Sequence, residues 1–257
     1  MDATEIWLWL SVAVLTLLLV ALSAALIFAC HRLYCSVAPV WLIPAGEYAK
    51  ARRCYEITQR SIPGRWLESN RDVTAYGIAI CDHFLGDQEK ALVSLRALPY
   101  DRLARPIQYG VDIAIGSTLL LLGRELAGAR EHLARARAVI DAPDLALGAA
   151  IASRMLGEEG EVARCVADAD ALPVDGLVRG SMKAWVRRDR EMVRWSTALS
   201  RGWLLSLGGE HERARPYLLE AASSPHPLTR KKALELLDRP PAGDDEGPPS
   251  SLKPVAR

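Results

Sequence analysis

The chain is short of the residues on which many architectures and chemistries depend. It has only two phenylalanines, Phe28 and Phe84, so leucine, valine, isoleucine, alanine and tryptophan must fill any interior. It has five cysteines, Cys30, Cys35, Cys54, Cys81 and Cys165, an odd number with no CxxC pair. That spacing excludes a zinc knuckle or a disulfide framework, and scattered single cysteines behave as small apolar core residues in a reducing compartment. Neither sign of charge dominates, because 32 Lys and Arg against 31 Asp and Glu leave a formal net charge of +1. No bulk field draws such a chain to nucleic acid, which is not an expected partner. Lysine is scarce and arginine common; with abundant Ala, Gly and Leu, this is the composition of a GC-rich bacterial gene.

Catalytic signatures are missing as well. There is no P-loop, no GxGxxG and no GxSxG nucleophile elbow. His211–Glu212 opens like a zinc-hydrolase HExxH, but Arg215 stands where the second histidine is needed. His31, His83, His132 and His226 have no ligand-spaced partner. Asp168 and Asp170 are two apart, so on a helix they face different ways and read as solvated acids. The sequence points to no catalytic residue, no metal and no cofactor, and the expected protein is not an enzyme.

What is present begins with a stretch free of charge from Ile6 to Cys30, IWLWLSVAVLTLLLVALSAALIFAC. A helix of this length is roughly 37 Å long, against about 30 Å of hydrocarbon, so it spans a bilayer with some tilt. Trp7 and Trp9 at one end, and Tyr34 and Trp41 beyond the other, are placed as interfacial anchors. The acidic start MDATE and the length of the apolar run argue for an uncleaved anchor over a signal peptide. Arg32, Lys50, Arg52 and Arg53 all follow the span and no basic residue precedes it. The positive-inside rule then predicts a single-pass inner (cytoplasmic) membrane protein, N-terminus outside and C-terminal domain in the cytoplasm. Ala21, Ala25 and Ala29 repeat at the small-xxx-small spacing that lets two membrane helices approach, a candidate packing face for a homo-oligomer.

Beyond the span, strand signals are almost absent and apolar residues recur at three and four, which predicts helices. RGWLLSLGGEHERARPYLLEA (201–221) places Ala214, Leu218 and Ala221 on one helical stripe behind Gly209, where a preceding helix must stop. The pattern recurs at Gly116, Gly123, Ala129, Leu133 and Ala136 with one residue inserted after the turn, and at Gly86, Ala91 and Leu95. Weaker copies lie at Gly157 and Ala163 and at Gly46, Ala51 and Tyr55. Gly86 to Gly123 is 37 residues and Gly123 to Gly157 is 34, a period that means a stacked solenoid.

At these positions the chain resembles the tetratricopeptide repeat (TPR) family, with two glycines in the first helix and turn, alanines in the second, and prolines after it (Pro63, Pro99, Pro143, Pro225). The resemblance covers about residues 44–240. It departs from the family at Ala198, where the signature has Trp, and in the 52 residues from Gly157 to Gly209, which hold one helix too many. It implies an all-α, TPR-like helical-hairpin solenoid that binds protein partners. The expected organisation is 1–35 with the transmembrane helix, 36–63 as a juxtamembrane segment and first hairpin element, 64–239 as the solenoid closed by a capping helix, and a disordered tail at 240–257.

One surface feature stands apart. In GLVRGSMKAWVRRDREMVRWSTALSR, Arg179, Lys183 and Arg187, then Arg190 and Arg194, recur every four residues with Trp185 and Trp195 between them. On a helix this is a basic face suited to an acidic protein partner, anionic headgroups or nucleic acid, with Val178, Met182 and Trp185 on the opposite side. The combined expectation is a membrane-anchored scaffold or assembly factor. Alternatives are an envelope-facing biogenesis factor or an accessory subunit of a membrane complex.

Overall fold

The computed structural model describes residues 3–60, 68–172, 177–178 and 190–238. These residues are helical apart from turns and one two-residue antiparallel pairing, β1 (Ile140–Asp141) with β2 (Leu177–Val178). The first helix, α1 (Ala3–Val37), is exposed at every described side chain from Val14 to Tyr34. By length and composition it is able to cross a membrane. Ala38 keeps helical dihedrals, so α2 (Pro39–Leu42) carries the chain on with little change of course. A turn at Gly46 then reverses it into α3 (Tyr48–Arg60).

Four helical hairpins follow: α4 (Glu68–Leu85) with α5 (Gln88–Arg96), α6 (Arg105–Leu122) with α7 (Leu126–Arg137), α8 (Pro143–Met155) with α9 (Glu159–Asp170), and α10 (Arg190–Leu207) with α11 (His211–Ala222). Each hairpin turns at a glycine in the left-handed region: Gly86 at φ 96°, Gly123 at 64°, Gly157 at 78° and Gly209 at 77°. Only glycine adopts that conformation without a steric penalty, and its amide satisfies carbonyls at the helix end. The residue inserted after Gly123 also has a structural consequence. Glu125 is forced to φ 48°, the one described non-glycine residue in that region, and its carboxylate is held by Arg96 at 2.5 Å.

Small residues bring the paired helices together. Gly116 lies so near Leu133 that an added Cβ would sit 2.8 Å from its Cγ; Gly202 lies against Leu218 the same way, at 2.6 Å from Cδ2. Ala91, Ala129 and Ala214, the matching positions of the second helices, are fully buried, as are Ala79 and Ala150 on the first. Leu95, Leu133 and Leu218 fill the space between, each at most 2% exposed, and burying such a side chain is worth about 1.5–3 kcal/mol.

Successive hairpins pack the second helix of one on the first helix of the next, α5 on α6 and α7 on α8, with smaller contacts of α4 on α6 and α6 on α8; α8 then packs on α10, and α10 on α12 (Pro227–Leu237). The helix expected to cap an open end does more than that, because α12 also packs against α4. The last element therefore meets the first hairpin. Gly46, at φ 76°, abuts the backbone of Pro225 so closely that a Cβ there would lie 2.6 Å from the carbonyl oxygen.

Two further expectations change. Val178, read from sequence as the apolar side of a basic helix, is extended and pairs with Ile140. The boundary drawn at residue 35 cuts through α1, and Cys35 is buried with Ala38 against Cys54 and Ile57 of α3. The apolar run 113–122 lies in α6, where Val111, Ala114, Ile115, Leu119 and Leu120 are buried in the main core. Pro63 and the tail 240–257 lie outside the described residues.

Replacing Ala214 tests the close contact. Ala214→Leu forces four-carbon volume into a fully buried helix interface and should cost roughly 1–3 kcal/mol. His211→Ala, at the half-buried first residue of the same helix, should stay within about 0.5 kcal/mol. Thermal denaturation of the two variants side by side checks both.

Candidate functional site

Two regions carried the sequence-based site expectations, and the structure treats them differently. Ala21, Ala25 and Ala29 lie on one side of α1 and are exposed along its whole course. Of the basic face, Arg179, Lys183 and Arg187 lie outside the described residues, as do Met182 and Trp185. Arg190 opens α10, and its side chain is likewise not described. Arg194 turns toward the neighbouring helix, where its Nε donates to Glu220 of α11 at 2.6 Å.

The most developed geometry is the junction of α1, α2 and α3. Cys35 and Ala38 pack on Cys54 and Ile57, and Leu42 bridges to a second cluster of Tyr48, Ala51 and Cys81. α3 in turn lies on α4, with the Tyr48 ring stacked on Phe84 at 4.5 Å and the Tyr55 ring against Gly77. Burial pushes the Cys81 thiol up to about 12 and the Tyr55 hydroxyl up to about 12, so both stay neutral at ordinary pH.

Tyr48 also reaches the other end of the chain. Its hydroxyl shares a hydrogen bond with Nδ1 of His226 at 2.5 Å, across 178 residues. His226 sits at the start of α12, its amide donates to Ser224 Oγ at 3.1 Å, and Trp195 of α10 meets its ring edge-on at 5.7 Å. This aromatic seam joins α3, α4, α10 and α12.

Two buried carboxylates pin neighbouring helices. Asp82 of α4 accepts from Arg52 Nε at 2.7 Å and pairs with Lys90 at 3.0 Å. Asp112 of α6 accepts from Tyr100 at 2.6 Å, from His132 Nδ1 at 2.8 Å and from Arg135 at 2.9 Å. Burial alone would raise the Asp112 carboxyl, but the hydrogen bonds from His132, Arg135 and Tyr100 outweigh it and hold the group below its ordinary value. His132, met in the sequence as a lone histidine, is thus the partner of a buried acid. The only sequence hint of this cluster was an aspartate heading an apolar run. Asp168 and Asp170, read as solvated, are paired with Arg137 at 2.6 Å and with Arg201.

His211 and Glu212 border a cavity of about 120 Å³ together with Ser206, Arg215, Leu218, Leu236 and Leu237. Among the described residues no three His, Cys, Asp or Glu side chains converge as a metal site. In the junction cluster His31 Nε2 lies 3.8 Å from Cys35 Sγ, and the buried carboxylates Asp82 and Asp112 position helices.

His83 supplies a pH test of this interior. Thr118 donates its hydroxyl hydrogen to Ala114 at 2.7 Å, so His83 Nδ1, 2.9 Å from the same oxygen, must be the donor and the ring is neutral. Burial lowers its pKa from 6.5 to about 4. The unfolded chain therefore binds the proton first, and the contribution of His83 is whole above pH 6.5 and is lost as pH falls toward about 4, by at most roughly 3 kcal/mol. Denaturant melts of wild type and His83→Gln over this range should show a smaller loss of stability on acidification in the variant.

Compared with protein-family models, with curated proteins and with solved structures, the chain matches none.

Proposed function

We propose that this protein is a single-pass, membrane-anchored scaffold or assembly factor whose TPR-like hairpin domain holds a protein partner at the membrane without catalysis. The observation that carries the reading is the build of the junction. The helix able to cross a membrane runs into the domain and packs on its first element through Cys35 and Ala38, with no free linker between them. A rigid mount of this kind suits a protein that presents a surface at fixed height and orientation.

The hairpins support the second half of the reading. Four pairs share a left-handed glycine turn, and three bury an alanine at the matching position of the second helix, the features that suggested the TPR resemblance; in the α8–α9 pair Ala163 is exposed and Val162 is buried instead. In that family adjacent helices supply surfaces for extended or helical peptides. Exposed apolar side chains on the second helices, such as Val93 of α5 and Leu219 of α11, supply surface for a partner.

Cross-linking in native membranes, followed by gentle solubilisation and mass determination, tests the function. A stoichiometric complex with a second protein is the expected outcome. A lone homodimer would argue instead for the Ala21, Ala25 and Ala29 face as the working surface, and a monomer would argue against scaffolding.

The proposed sidedness, N-terminus outside and hairpins in the cytoplasm, has its own test. A fluorescent reporter that matures only in the cytoplasm, fused after Arg239, should be bright, and an export-dependent phosphatase at the same site should be inactive. The reverse pattern would move the hairpins to the envelope and favour a biogenesis role there.

A further inference from the structure

The anchor and the first hairpin elements bring arginines from three helices to one level. Cys35 and Ala38 of α1 pack with Cys54 and Ile57 of α3, and Leu42 with Tyr48 and Ala51, so the two helices run antiparallel in a single register. α4 reverses again: Phe84 faces Tyr48, Cys81 faces Ala51 and Gly77 faces Tyr55. Continued along the helices, these registers set Arg60, the last residue of α3, level with Arg32 of α1, and Arg71 of α4 level with Arg60. That level is the end of the charge-free stretch, two residues past Cys30.

The other cations that follow the span in sequence fold away from it. Lys50 pairs with Glu47 at 3.1 Å and lies roughly 15 Å farther along α3, and Arg53 roughly 10 Å farther, at 1.5 Å per residue. Arg52 is held by Asp82 at 2.7 Å and Glu56 at 2.5 Å. Arg60 and Arg71 are exposed, and among the described residues neither forms an ion pair. The acids nearest that level are half-buried Asp72, Glu68 at the start of α4, and Glu56, the last committed to Arg52.

We propose that Arg60 and Arg71 form a binding surface for the headgroup phosphates of anionic phospholipids in the leaflet where α1 leaves the membrane. The proposal rests on the reading of α1 as a span. Guanidinium groups bind phosphate through paired hydrogen bonds, and a surface potential acts only within about 10 Å, which includes this level and excludes Lys50. Exposed Leu33 and Tyr34 continue the apolar surface of α1 past Arg32, as a helix end resting in the headgroup layer requires.

The test uses the full chain reconstituted in bilayer nanodiscs of phosphatidylcholine containing a minority of phosphatidylglycerol, with the lipid retained after detergent release measured by mass spectrometry. Phosphatidylglycerol should be enriched over its bulk fraction. Arg60→Gln or Arg71→Gln should each lower the enrichment by up to about fivefold, the double variant should lower it further, and Lys50→Gln should leave it unchanged. Equal enrichment in the double variant, or none in wild type while the chain resists carbonate extraction, overturns the headgroup surface and leaves the anchor standing. Loss of enrichment in inorganic phosphate at constant ionic strength reassigns the arginines to a soluble anion. Extraction of the chain by carbonate overturns the anchor and the surface together.

Discussion

Close approach of paired helices is the constraint on which the rest of this fold depends. A Cβ at Gly116 or Gly202 would collide with Leu133 or Leu218, so these hairpins close only because one helix presents bare backbone to the other. The same logic makes Ala91, Ala129 and Ala214 fully buried. Thin hairpins of like build stack on one another, and the leucines between them become a continuous core from Leu92 to Leu236. Packing at that density tolerates little added volume, because interiors resemble crystals more than liquids.

Buried charge adds alignment to this packing. Asp82 and Asp112 each sit at 1% side-chain exposure, where desolvation opposes an ionised carboxylate. Several donors from other elements offset that cost: Arg52 from α3 and Lys90 from α5 for Asp82, His132 and Arg135 from α7 for Asp112. An apolar contact permits sliding by a fraction of a turn, whereas a carboxylate gripped from two sides does not. The acids therefore define how far each helix is displaced along its neighbour.

Residues 38–60 hold the two ends of the molecule together. Through Ala38 and Cys54 they receive the long apolar helix, and through Gly46 and Tyr48 they meet Pro225 and His226 of the last element. α3 thus mounts the hairpins on the anchor and also joins the first hairpin to the last. The consequence for the proposed function is mechanical: a partner on the hairpins and a bilayer around α1 would be linked through packed helices and not through a flexible tether.

Much of the local structure was legible in the residues. The charge-free run, the four turn glycines and the alanine and leucine stripe behind three of them identify helices and hairpins, because helix periodicity and left-handed turns are properties of a few neighbouring residues; behind Gly157 the expected Ala163 is exposed. The insertion after Gly123 was visible too, and it became the strained Glu125. The extended pairing of Val178 was not, since a two-residue strand is set by its partner Ile140 and not by local preference. What the sequence by itself determined is the set of helices and which of them pair as hairpins. Only the tertiary structure decided which distant groups meet: Asp112 with His132 and Arg135, Tyr48 with His226, and Arg60 with Arg71 at one level. The physical reason is that these encounters depend on the relative register of several helices, and that register is a sum of side-chain volumes and buried hydrogen bonds spread across the whole chain.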